Sequence, residues 1–391
     1  MMSNVVELNA WRHHLDMGER GVKKNLTNLM VHLRHLPELG KNIRFNEQTQ
    51  CPEWRGRKLE DHDFIDIRLI IEREGFQPPE KDVRPGVIRV AYENSYNPIV
   101  DYLTSLQWDG TKRLHRWMQE LLGAPRDEFT SLVGTKALIA AVARVMNPGC
   151  QVDTMVVLEG PQGIRKSSAI QELFTPQYAY EFVSGFDNHR QLAVQMMGAW
   201  CVELAEFVAV AKSHAGAVKG LISMRTDRVQ LPYGRTLSDL PRRIVFWGTI
   251  NPGGIGYLTD NTGNRRYWPI TVTKVDIEGL RQRRDQLWAE AYHRYLSEER
   301  WWLEGDEVGA AEEAQADRHQ TDPWIFVLEE KLGGIARITG NDALQLLGIE
   351  YERRDKEKEM RVADVLKELG FRSVKSRVGS ANKKPRWIWE R

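Results

Sequence analysis

Apolar residues recur at helical spacing through "NLTNLMVHLRHL" and then give way to a polar stretch, "NEQTQCPEWRGRKLEDHD". Residues 1–95 therefore read as a mostly helical region that carries no recognisable chemistry. From Asn97 the pattern sharpens, with Asn97 as a helix cap, Pro98 in the first turn and apolar positions at helical spacing through "NPIVDYLTSLQWDGTKRLHRWMQELLGA". "TKALIAAVARVM" is apolar nearly all round, which predicts a helix packed directly on the domain that follows. The rhythm then changes to short β-branched runs. "DTMVVL", Asp153 to Leu158, "GAWCVELAE", Gly198 to Glu206, and "RRIVFWGTIN", Arg242 to Asn251, each read as a strand of a parallel sheet buried on both faces.

After "RQRRDQLWAEAYHRYLSEERWWL", an amphipathic helix closing this core, the acidic stretch "EGDEVGAAEEAQADRHQ" reads as a linker or a solvated helix over residues 301–320. Residues 321–391 then look like a separate small domain. "TGNDALQLLGI" is a short helix ending at Gly348, "EMRVADVLKELGF" a second ending at Gly370, and "RSVKSRVGSANKKPRWIWER" a hairpin turning near Gly379 to Lys384. Helix, helix and basic hairpin is the outline of a winged helix. The expected fold is α/β: residues 1–95 mostly helical, a parallel-sheet core with its leading helices over 96–300, and the winged-helix-like end.

Composition narrows the class. A chain of 391 residues with 41% hydrophobic content has enough apolar residues for two or three cores. No run approaches the roughly 20 apolar residues that span a bilayer, and no signal pattern opens the chain, so a cytoplasmic protein without a membrane partner is expected. Cys51, Cys150 and Cys201 stand too far apart in sequence for paired metal spacing and read as packing residues. The formal net charge of +1 excludes a uniformly basic DNA-coating protein and leaves local basic patches open.

The candidate chemistry begins at "VVLEGPQGIRKSSAI", Val156 to Ile170. Gly160, Lys166 and Ser167 fit the phosphate-cradling pattern Gly-x-x-x-x-Gly-Lys-Ser/Thr, and Arg165 stands where the second glycine belongs. In such a loop Gly160 and Gly163 let backbone amides turn toward a polyphosphate, and the helix starting at Lys166, Ser167 and Ser168 presents its positive end. Lys166 reaches the β and γ oxygens of ATP, and Ser167 ligates Mg²⁺. Arg165 should weaken nucleotide binding without preventing it. The bland reading is an ordinary strand-to-helix turn containing Lys-Ser. Glu203 and Glu206 follow the second strand, where an ATPase needs acids to hold the metal and polarise water; otherwise they are two solvated glutamates at a helix start. Asn251 ends the third strand, suited to holding the lytic water or merely to capping a turn. Arg265 and Arg266 in "LTDNTGNRRYWPI" either reach a neighbouring subunit's nucleotide or are solvated charge.

The stretches "YNPIVDYLTSLQWDGTKRL", "PGCQVDTMVVLEGPQGIRKSS", "WCVELAE", "LPYGR", "GTIN" and "TGNRRYWPI" together resemble the virulence-associated E family, phage and prophage proteins related to superfamily 3 helicases and to the helicase half of viral primase-helicases. The resemblance runs from roughly Asn94 to Ile270. It implies an AAA+-type P-loop ATPase, ring-forming, that drives DNA unwinding in the replication of a mobile element. Two positions depart from the family pattern: Arg165 replaces glycine, and Gln230 stands where arginine is frequent. No primase-type acidic cluster lies upstream, so a primase would be a separate partner.

In superfamily 3 helicases the segment matching "AKSHAGAVKGLISMRTDRVQLPYGR" lines a central channel for single-stranded DNA, which the resemblance carries to Lys219, Arg228 and Arg235. A solvent-exposed basic loop is the alternative. At the C-terminus Arg372, Lys375, Arg377, Lys383, Lys384, Arg386 and Arg391 face a single acid, Glu390, with Trp387 and Trp389 alternating between them, which suits phosphate contact with duplex DNA by the wing. A protein-interaction module with a basic edge strand is the competing reading. For the whole chain the alternative to a helicase is a DNA-binding regulator that keeps the ATPase fold with weak or no activity.

Overall fold

The computed structural model describes residues 10–182, 189–230, 236–251, 264–316, 318, 323–376 and 386–391. Described residues up to 316 form one compact unit, and those from 318 onward a second.

The first unit opens with three helices, Leu26–His35, Asp61–Arg73 and Glu80–Glu93, whose apolar faces meet around Leu29, Leu33, Ile67 and Val87. They pack on a four-stranded sheet made by Ile43–Asn46, Cys51–Trp54, Arg57–Lys58 and Ser95–Tyr96. The sheet is a correction to the reading of this region as mostly helical with a polar stretch. Along Cys51–Trp54 only Pro52 and Trp54 turn inward, so two apolar residues among polar neighbours are enough to seat the strand. The Asn46 side-chain oxygen accepts from the amides of Gln48 and Thr49 and closes the hairpin turn. That turn is pinned to the rest of the unit: the Gly198 amide donates to the Gln48 carbonyl at 3.1 Å and Arg243 pairs with Glu47 at 2.8 Å. Residue 95 is therefore not a boundary between compact units.

Asn97 caps the helix Pro98–Ser105 as its sequence predicts, its oxygen accepting from Ile99 and Val100. The helix is shorter than the apolar spacing suggested, because Asp109 and a left-handed Gly110 turn the chain before a short helix at Trp117–Leu121. Next come helix α1 (Glu128–Met146), strand β1 (Met155–Glu159), helix α2 (Lys166–Phe174), strands β2 (Ala179–Glu181) and β3 (Cys201–Leu204), helix α3 (Phe207–Ser223), strands β4 (Val245–Ile250) and β5 (Tyr267–Thr271), and helices α4 (Ile277–Leu296) and α5 (Asp306–Ala316). The strands form one parallel sheet in the order β5-β1-β4-β3-β2. Helix α1 is long and apolar enough to cross a membrane by composition alone, and here it lies buried in the core. Trp200 and Trp288 rings pack with centroids 4.2 Å apart against Phe174, joining sheet, α2 and α4. Cys150 and Cys201 are buried and Cys51 is half-buried, all as free thiols.

The stretch expected as a linker is a correction. Residues 306–316 form α5, which docks on the sheet through buried Ala311 and through Gln315, whose amide donates to the Tyr267 carbonyl at 2.9 Å.

The second unit runs helix Pro323–Lys331, strand Arg337–Ile338, helices Gly340–Leu346 and Lys356–Glu368, then strands Arg372–Ser376 and Arg386–Glu390. Thr339 caps the second of these helices. The final strand is central, antiparallel to both others. Trp389 is buried among Leu344, Val362 and Leu366, so it is a core residue and not the phosphate contact its alternation with Trp387 suggested. The Trp387 side chain and the turn at 377–385 lie outside the described residues.

Candidate active site

β1 is buried along its whole length, and its neighbours are β4 on one side and β5 on the other, while β2 and β3 lie beyond β4. Strand order thus reverses beside β1, and the crevice at the carboxyl ends of such strands is where open α/β sheets bind ligands. The loop between β1 and α2 borders a cleft of about 730 Å³ there, lined by Gly163, Arg165, Lys166, Ser168, Glu206 and Asn251 among others.

Each loop residue has its own constraint. A Cβ at Gly160 would stand 2.3 Å from the Val272 carbonyl oxygen, just past β5, so only glycine fits. Gly163 sits at φ +84°, with open space around it. Arg165 adopts φ 72°, ψ 36°, the left-handed region that glycine occupies without penalty. Its side chain is exposed on the cleft, and no side chain caps the first turn of α2.

Lys166 is 7% exposed, and its Nζ donates to the carbonyls of Gly160 at 2.7 Å and Pro161 at 2.9 Å and to Asn251 Oδ1 at 2.8 Å. Burial lowers its pKa, and Glu203 partly opposes the shift. Ser167 Oγ donates to Glu203 Oε1 at 2.6 Å, and Thr249 Oγ1 donates to the same oxygen at 2.7 Å. Glu203 is 3% exposed, and burial raises its carboxyl pKa despite those two donors. Glu206, three residues on, is exposed at the cleft in a left-handed conformation that starts α3. Thr249 was not singled out by the sequence, although a threonine one position from the end of a wholly buried strand is the available signal.

These residues suit a polyphosphate and a divalent cation. Lys166 makes no ion pair among the described residues, its hydrogen-bond acceptors being neutral, so an anion in the cleft would meet a cation offset only from a distance by Glu203, beside a helix N-terminus with no side-chain cap. Ser167 and Glu203 together offer hard oxygen ligands of the kind magnesium takes.

Other expected residues lie elsewhere. Arg265 and Arg266 precede β5, and the parallel register of Tyr267 with Met155 sets them at the amino ends of the strands, the opposite end of the sheet from Lys166. Arg266 Nε donates to Ser223 Oγ at 2.8 Å, while Arg265 is exposed. Lys219 is half-buried on α3. Arg228 is exposed on the two-stranded ribbon Thr226–Gln230 with Leu237–Pro241, 3.6 Å from Asp239. At the ribbon's base a buried Arg242–Asp227 pair closes at 2.7 Å. Arg235, Lys383 and Lys384 lie outside the described residues, as does the side chain of Arg386 on the last strand.

Arg165→Gly is expected to stabilise the protein by about 1 kcal/mol, because it removes a Cβ from a left-handed position. The same change should lower the nucleotide dissociation constant or raise turnover. Thermal unfolding and nucleotide titration check both, and weaker binding by the glycine variant would identify the guanidinium as a working phosphate ligand.

No curated protein matches the chain. Two solved structures of the NrS-1 C-terminal region, both apo A forms, are similar at 11% identity with TM-scores of 0.47 and 0.46, each alignment covering 89% of this chain and 96% of the other. A family model, the virulence-associated protein E-like domain, matches residues 103–320, which include the loop, both acids, Asn251 and the arginine pair. The match takes in more than half of the sequence, and the chain belongs to the virulence-associated protein E-like family.

Proposed function

We propose that the chain is a P-loop ATPase of the AAA+, superfamily 3 type that moves on or unwinds DNA in the replication of a phage, prophage or related element. The observation that carries this reading is the joining of Lys166 to Asn251 and of Ser167 to Glu203 at one end of a parallel sheet. The β5-β1-β4-β3-β2 order supports it by setting the strand that bears Asn251 between the loop strand and the strand that bears Glu203.

In this reading the α2 amides and Lys166 bind the β and γ phosphates. Ser167 and Glu203 hold Mg²⁺, whose chemistry when bound is neutralisation of phosphate charge. Glu206 takes the proton of the attacking water, since it is the acid that faces the open cleft, and Asn251 orients that water. Lys219, Arg228 and Arg235 contact single-stranded DNA, and the C-terminal unit acts as a winged helix on duplex DNA through Lys383, Lys384 and Arg386. ATP turnover measured with and without single-stranded DNA tests the whole. Stimulation by the strand is expected, and absence of turnover in both conditions would leave the regulator reading, which the Cβ of Arg165 in the phosphate loop favours.

Arg265 and Arg266 stand too far along the sheet to serve their own chain's cleft, so they act on a neighbour's nucleotide within a ring. Mixing an Arg265→Ala variant with the parent protein should depress activity more than dilution does. A strictly proportional loss in the mixing series would refute action between subunits.

A further inference from the structure

The end of the sheet that bears the arginines holds a second cavity, of about 580 Å³, formed within the first unit where the chain enters β1 and β5 and where α5 crosses them. Its walls are aromatic. Trp268 forms the buried floor at 2% exposure, Trp301 stands edge-on to Trp302 with ring centroids 5.3 Å apart, and Trp302 is 45% exposed. The Trp301 indole nitrogen is held by the Gln151 carbonyl at 2.9 Å, which fixes one ring while the other faces the opening. Arg265 shares the cavity with an exposed guanidinium that makes no ion pair or hydrogen bond among the described residues. Asp153 and Glu312 add two carboxylates to the rim.

A half-exposed indole, a cation with no ion pair or hydrogen bond among the described residues and acceptor carboxylates within one cavity match a specific chemistry. A nucleobase stacks on tryptophan whatever its identity, a backbone phosphate pairs with arginine, and exocyclic amines donate to carboxylates. The volume admits one nucleotide with room to spare. We propose that this cavity is a separate site for an unstacked nucleobase with its phosphate, and that the carboxylates favour bases bearing an exocyclic amine, adenine among them, over thymine. The source is either a single strand of DNA or a free mononucleotide. The proposal does not use the phosphate loop; it shares Arg265 with the proposed action between subunits, so its test rests on Trp302 and Glu312, which that action does not use.

The test uses the full chain with Trp302→Ala and Trp302→Phe, titrated by fluorescence anisotropy against labelled oligo-dA and oligo-dT. AMP is titrated by calorimetry in a Lys166→Ala background, which separates this cavity from the cleft. Alanine should weaken oligo-dA binding by about tenfold and phenylalanine by no more than about threefold, as loss and retention of one stacking surface require. Dependence on Trp302 for AMP alone would assign the same site to free nucleotides. Unchanged affinity for both probes in a folded alanine variant would overturn the proposal. Glu312→Gln, an exposed helix position that folding tolerates, gives a second readout: it should narrow the preference for dA over dT. An initial absence of any such preference would remove the role given to the carboxylates.

Discussion

Lys166→Ala is expected to lower ATP turnover by at least about a hundredfold, the scale on which losing one donor to developing charge is felt. Among the described residues the lysine is the one cation whose amine is buried in the cleft wall, 2.8 Å from Asn251 and held by neutral acceptors. Its removal deprives the phosphates of that charge and releases the Asn251 side chain at the same time. The fold should survive, because Nζ packs no core residue and burial already opposes its charge, as its lowered pKa records. Steady-state ATPase together with a thermal unfolding curve separates the two effects. Undiminished turnover in a folded variant would remove the nucleotide-site assignment.

The second large effect concerns the two acids. Glu206→Gln should keep nucleotide binding and lose about 10²- to 10⁴-fold in turnover, the usual contribution of a positioned general base. Glu203→Gln should instead weaken the magnesium dependence of binding, because it alters the carboxylate that Ser167 and Thr249 hold. The stability of this second variant carries a sign. Burial raises the Glu203 pKa above its unfolded value, so the stability linked to its protonation is present at low pH and lost as pH rises through the raised pKa. At neutral pH the ionised carboxylate is thus a cost, and glutamine should raise the unfolding temperature while damaging function. Equal turnover in both variants and the parent would show that neither acid has been assigned correctly.

What the sequence disclosed follows from how each residue is used. The strand at Val156, the cap at Asn97 and the neighbouring Lys166 and Ser167 are local patterns, set by residues adjacent in the chain, and the structure forms them where the patterns stand. The N-terminal sheet was not legible because its strands run to four residues at most and one of them carries Pro52 and Glu53, which read as polar loop. α5 was hidden for a related reason: it docks through Ala311, a small residue, and Gln315, a polar one whose burial is matched by its hydrogen bond to the Tyr267 carbonyl. The bond from Thr249 to Glu203 joins strands β4 and β3 across 46 positions, so only the sheet order brings it into view. Trp389 misled in the opposite direction, since alternation on a terminal strand marks one face without saying whether that face meets water or a core.

β5 touches both ends of this arrangement. Arg265 and Arg266 stand immediately before it, and Val272, immediately after it, presses its carbonyl oxygen toward Gly160 while its amide bonds the Glu159 carbonyl at 2.6 Å. An extended strand hydrogen-bonded along its length is stiff along its own axis, and this one has no slack at the loop end because no atom fits between Val272 and Gly160. A displacement of β5 along its axis toward the loop would therefore press on Gly160, and one in the opposite direction would draw away the Val272 amide that bonds Glu159. The cavity end and the cleft end of the sheet are thus joined within one chain by a strand five residues long.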